Sequence, residues 1–152
     1  MAAAIIGQQA PNFTFTSEQA QVSLSSLTGR NIILYFYPKD DTPGCTQQAC
    51  DFRDNLNQLT LKGYTVIGVS PDTELSHSKF SHKYSLDFSL VADTDHSIAE
   101  LYGVWKEKSM YGRTYMGIER TTFIINAEGI ITHIFPKVKV KGHIQDILSH
   151  IG

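Results

Sequence analysis

At 152 residues and 41% hydrophobic, the chain is the length of one ordinary domain and carries enough apolar residues for a sizeable core. Its formal charge of −2, with thirteen basic and fifteen acidic residues, offers no field to attract nucleic acid or anionic lipid, and no apolar run approaches a membrane span. The opening Met1–Ile6 stretch is too short for a secretory signal and lacks basic flanks, so we expect one cytoplasmic domain over 1–152 without nucleic-acid or membrane partners.

Along the chain, Phe13–Thr16 and Gln21–Ser23 read as a small hairpin. Asn31–Tyr37 (NIILYFY) is a continuous apolar run ended by Pro38, which suits a central strand covered on both faces. Thr42 can cap a helix whose first residue is Pro43, and Ala49, Phe52, Leu56 and Leu59 then recur at helical spacing until Gly63. Cys45, four residues before Ala49, shares that buried stripe; Cys50 is rotated about 140° from it, towards the flank. Tyr64–Val69 predicts a strand, Glu74–Tyr84 a helix, Phe88–Val91 a strand, and Ser97–Tyr102 a short helix stopped by Gly103. Trp105–Gly117 is tyrosine-rich and reads as less regular, its aromatics as packing. Thr121–Ile125 and Ile130–Phe135 form a hairpin around Asn126-Ala127-Glu128-Gly129, and a last helix covers His143–Ile151. The alternating Lys137, Lys139 and Lys141 are expected to guard a sheet edge. Parallel strands with crossover helices, closed by an antiparallel hairpin and a helix, make an α/β protein: a thioredoxin-like three-layer sandwich with an N-terminal hairpin extension.

Cys45 and Cys50 are the only cysteines. A thiol in the first helical turn faces unsatisfied backbone N–H groups and the positive end of the helix dipole, which favours the thiolate. Five residues of regular helix separate the two Cα atoms by roughly 8.7 Å, beyond disulfide reach, whereas a Cys-x-x-Cys pair would come out near 5 Å. Bonding Cys45 to Cys50 therefore requires the first turn to unwind. The six histidines are scattered without metal-ligand spacing, so neither a metal nor a cofactor is expected.

Pro38, Thr42 and Cys45 match the Pro-x-x-x-Thr-x-x-Cys signature of the peroxiredoxins, and Thr42-Pro43-Gly44-Cys45-Thr46 with Cys50 resembles the bacterioferritin-comigratory, or Q-type, branch. Arg120 in Glu119-Arg120-Thr121-Thr122-Phe123 matches the family's distal arginine, and the likeness runs on through Trp105–Gly117 and Val138–His143. The resemblance implies that Cys45 is the peroxidatic cysteine and Cys50 the resolving one. It implies reduction of hydrogen peroxide and organic (alkyl) hydroperoxides by a monomer recycled by thioredoxin-type donors. Within that reading Thr42 directs its hydroxyl at the sulfur or the attacked oxygen, and the Gly44 and Cys45 amides line the same pocket. Pro38 shields the thiolate, Arg120 stabilises thiolate and peroxide, and Asp40 and Asp41 point outward. Two rivals remain: a dithiol-disulfide oxidoreductase on the same fold, which usually has Cys-x-x-Cys, and a thioredoxin-fold binding or holdase module with inert cysteines.

Overall fold

The apolar run at Asn31 becomes the middle strand of a five-stranded sheet, because side chains alternate along it and both faces are covered. The computed structural model describes residues 4–17 and 20–151, so Met1 to Ala3 of the opening stretch, and Gly152 at the end of the expected domain, lie outside the described residues. Strands β1 (Thr14–Ser17) and β2 (Ala20–Ser23) pair as the expected hairpin. They lead through a short 3₁₀ turn to β3 (Asn31–Phe36) and α1 (Pro43–Leu61). Then come β4 (Tyr64–Ser70), α2 (Glu74–Tyr84), β5 (Ser89–Ala92) and α3 (Ser97–Leu101). The chain continues with β6 (Trp105–Met110), β7 (Arg113–Ile118), β8 (Thr121–Ile125), β9 (Ile131–Phe135) and α4 (His143–Ile151).

The sheet order is β5-β4-β3-β8-β9, with β3 parallel to β4 and β4 to β5, and with β8 antiparallel to both its neighbours. Ile32, Leu34 and Phe36 of β3 face a core shared with Phe13 and Phe15 of the N-terminal hairpin and with Ile98, Ala99 and Tyr102 around α3. Ile33, Tyr35 and Tyr37 face the opposite way, against Cys45, Ala49, Phe52 and Leu59 of α1, Phe80 of α2 and Ile144 and Ile147 of α4. The result is three layers. Phe52 is fully buried and stacks on Tyr35 with ring centroids 4.5 Å apart, so its truncation to Ala would cost about 3–5 kcal/mol. The Tyr35 ring has room because β4 carries Gly68 beside it: a Cβ there would lie 2.9 Å from Tyr35 Cζ.

Two expectations need correction. Trp105–Gly117 falls within a regular antiparallel hairpin, β6–β7, separate from the main sheet and turning at Tyr111 and Gly112 with φ of 53° and 77°. Neither face of its outer half is covered, so the sequence shows no period-2 alternation. Lys137, Lys139 and Lys141 guard no edge; they lie in the link between β9 and α4.

Candidate active site

Central strand β3 delivers the chain to one end of the sheet, where α1 must start. Thr42 is the N-cap with extended backbone (φ −102°, ψ 156°) and Pro43 is the first helical residue, as the sequence predicts. The first helical bond runs from Thr46 N to the Thr42 carbonyl at 2.8 Å, which leaves the Gly44 and Cys45 amides outside the ladder. The Thr42 hydroxyl caps neither of them and donates instead to the Lys39 carbonyl at 2.9 Å. Unpaired amide donors thus surround Cys45 at the positive end of the helix.

Cys45 is 2% exposed, on the buried face of α1. Arg120 reaches it from the link between β7 and β8, where the carbonyl of Arg120 accepts from Val138 N and Glu119 N donates to the Val104 carbonyl. With its backbone fixed, the guanidinium places Nη2 3.4 Å from Cys45 Sγ and Nη1 2.6 Å from Gln48 Oε1. Gln48 went unnoticed in the sequence. It lies three residues after Cys45 on the same helical face, is buried, and leaves Nε2 without a partner among the described residues. Its position on the helix is readable from the sequence, but nothing in the residue type signals that it is buried against the guanidinium. Gly44 completes the bracket, since a Cβ at that position would lie 3.4 Å from Arg120 Nη2.

Cys50 is half-buried and lines a shallow hollow of about 280 Å³ with Asp41, Thr42, Pro43, Thr46, Gln47 and Tyr84. Both thiols are unbonded and sit in continuous helix. One turn on, Arg53 Nη1 donates to the Tyr84 carbonyl at 2.7 Å and ties α1 to the end of α2. Pro38 is exposed at the exit of β3. The structure therefore brings Cys45, Arg120 and the helix N-terminus together, with Cys50 on the adjoining flank and Pro38 at the solvent side.

Asp41 points outward, bonded to Lys83 Nζ at 2.8 Å and Tyr84 OH at 2.9 Å, but Asp40 does the reverse of what was expected. It is 7% exposed and accepts from Tyr37 OH at 2.6 Å, His77 Nδ1 at 2.7 Å and Ser76 Oγ at 2.8 Å. The reason is that φ of 56° at Asp41 turns the loop so that the preceding side chain faces α2. Burial pushes the Asp40 carboxyl up, yet the bonds from His77, Tyr37 and Ser76 outweigh it and hold the group below the usual carboxylate range. Among the described residues, Asp40, Asp72 and His77 bring ligand atoms within 4.8 Å of one another, but these atoms are occupied by hydrogen bonds. Beneath Arg120, His143 Nε2 meets Thr122 Oγ1 at 2.8 Å; burial lowers this imidazole to about 4, with the Arg120 charge acting in the same direction and Asp146 opposing. An apolar hollow of about 410 Å³ lined by Leu24, Leu27, Ile32 and Ile125 lies at the other end of the sheet and touches none of these groups.

Comparison with known proteins places this geometry. Residues 6–134 match the model of the AhpC/TSA family. The peroxiredoxin Bcp of Bacillus subtilis (strain 168) is 47% identical over 145 residues, covering 95% of this chain and 92% of the relative. That of Escherichia coli (strain K12) is 43% identical over 144 residues, covering 94% and 92%. Among solved structures, a PrxQ cysteine mutant of Xylella fastidiosa superposes with a TM-score of 0.92 at 35% identity, covering 99% of this chain and 97% of that one. A Xanthomonas campestris bacterioferritin comigratory protein, described for its alkyl peroxide reduction activity, superposes at 0.86 with 38% identity, covering 91% and 89%.

Proposed function

Since this chain belongs to the AhpC/TSA family, as a peroxiredoxin of the Bcp/Q-type branch and hence a thiol-dependent peroxidase, we propose that Cys45 is its peroxidatic nucleophile and Cys50 its resolving thiol. Hydrogen peroxide and alkyl hydroperoxides are the substrates and a thioredoxin-type dithiol the reductant. The observation that carries this reading is the 3.4 Å contact of Arg120 Nη2 with Cys45 Sγ at an uncapped helix N-terminus.

The Cys45 thiolate attacks the terminal oxygen of the hydroperoxide. An S–O bond forms, the O–O bond breaks, and the departing oxygen leaves with the electron pair as an alkoxide or hydroxide that takes up a proton. Arg120 and the Gly44 and Cys45 amides supply fixed donors where that charge develops. Thr42, whose hydroxyl donates a hydrogen bond to the Lys39 carbonyl, keeps oxygen lone pairs that can accept the O–H of the peroxide and so orient it. Pro38 acts as an outer wall of the loop. The first turn then melts, and the Cys50 thiolate attacks the Cys45 sulfenic sulfur. An S–S bond forms, hydroxide leaves as water, and the disulfide returns to two thiols by exchange with the external dithiol.

A dithiol oxidoreductase is disfavoured because helical spacing keeps Cys45 and Cys50 apart in the reduced fold, and an inert module leaves the guanidinium on Sγ without a role. Intact mass after one equivalent of hydrogen peroxide tests the assignment. The wild type should lose two mass units and Cys50→Ser should gain one oxygen, whereas an unchanged mass in both would rule the mechanism out.

A further inference from the structure

Deepening that reading, and resting on it, we infer that Asp40 and His77 are positioning residues of the peroxidase reaction: together they clamp the loop that launches α1 onto α2, and so hold Cys45 against Arg120. Neither residue touches Sγ. Their effect passes through the four residues between Asp40 and the nucleophile.

Asp40 is held from four sides. Its carboxylate accepts from Tyr37 at the end of β3 and from Ser76 and His77 of α2, and its backbone N–H donates to Asp72 Oδ2 at 2.8 Å. The other half of the clamp is equally fixed. His77 Nε2 lies 2.9 Å from the Val91 carbonyl, which can only accept, so that nitrogen carries a hydrogen. Nδ1 faces Asp40 Oδ2 at 2.7 Å, with 5% and 4% of the two side chains exposed, so one proton is shared across a dry contact. In such surroundings a satisfied network rigidifies its elements, while a broken one leaves costly unpaired groups.

The stiffness ends abruptly. Asp41 adds exposed bonds from Lys83 Nζ and Tyr84 OH of α2; two residues later the helix begins without a side-chain cap, and its own next side-chain bond to α2 among the described residues is Arg53 on the Tyr84 carbonyl. The segment between these two attachments contains both cysteines. Disulfide formation requires that this segment unwind and return, so a fixed point just upstream restores Cys45 to the same place beside Arg120 after each cycle. Without the clamp, only the fraction of molecules with the loop docked would react with peroxide at the full rate.

The test is the second-order rate of sulfenic acid formation in a Cys50→Ser background, with hydrogen peroxide as the probe. Asp40→Ala and His77→Ala should each fall by about 10-fold or more while remaining folded at the assay temperature. Asp40→Asn should stay within about threefold, because its carbonyl still accepts from Tyr37 and its amide can donate to the Nδ1 lone pair of a neutral His77. Hydrogen exchange at the amides of residues 46–49 should quicken in Asp40→Ala and not in Asp40→Asn. Should Asp40→Ala fail to fold, Ser76→Ala removes one of the four bonds and must still slow the reaction in the same direction. Rates within twofold of the parent in the Ala variants, or an equal loss in Asp40→Asn, would overturn the clamp. The parent's own gain of one oxygen tests the peroxidase assignment separately, so the two failures are distinguishable.

Discussion

Arg120 spends its two outer nitrogens on different partners, one on Sγ and one on Gln48 Oε1. A planar fork can do this and an ammonium cannot, so Arg120→Lys should keep the charge yet lose the geometry. Stopped-flow measurement of sulfenic acid formation should show a loss of about 100-fold, the scale for removing an oriented donor. Gln48→Leu leaves Nη1 without its acceptor but Nη2 in reach of the sulfur, and a loss of about 10-fold is expected in the same assay. The sequence exposed these two residues unequally. Arg120 was legible through its match to a family motif, whereas Gln48 stood in an ordinary helical run and only the fold shows that a buried amide orients the guanidinium. Asp40 misled for a related reason: an acidic pair in a polar loop gives no sign that one member turns inward to meet a histidine thirty-seven positions away.

At the scale of elements, α1 has to be ordered enough to aim Cys45 and loose enough to release it. Gly44 helps with both. Its missing side chain lets the guanidinium approach, and its presence inside the first turn weakens the helix by about 1 kcal/mol relative to Ala. Gly44→Ala should therefore firm the turn, with the flexible end of Arg120 giving way by a few tenths of an ångström. Conversion of the Cys45 sulfenic acid to the disulfide, followed by mass after rapid quenching, should slow by about fourfold, while sulfenic acid formation changes less. The opposite order of effects would mean that melting of this turn does not limit resolution. The boundaries of α1 and α2 were readable to within a residue because each has a cap, a periodic face and a stop. Hairpin β6–β7 was not, since its turn places Tyr111 in the left-handed region ahead of Gly112, where Asn or Asp would have announced it.

The whole molecule follows the layout that the sequence implied, because period and chain order decide layers: a strand apolar at every position must lie between two covered faces, and helices must fall on both sides of it. Charge within those layers was not legible, and it governs how stability responds to acid. His143 starts α4, packed edge-on against Phe52 and Phe135, with Thr122 as its hydrogen-bond partner and Asp146 and Arg120 as the charges acting on it. Its native value of about 4 lies below the unfolded value of 6.5, so the unfolded chain binds this proton more readily than the native one. Stability is then full above about pH 6.5, declines as pH falls towards 4 and levels off below it, a loss on the order of 3 kcal/mol. Asp40 acts in the same direction but later: its native carboxyl sits below the ordinary 3.8, so its contribution begins to vanish only as pH falls past that value. Urea titrations of the reduced protein at pH 7 and pH 4.5 should show the midpoint falling, and His143→Gln, which cannot titrate, should lose less than half as much over the same interval. An undiminished fall in His143→Gln would move the acid sensitivity away from the layer beneath Arg120.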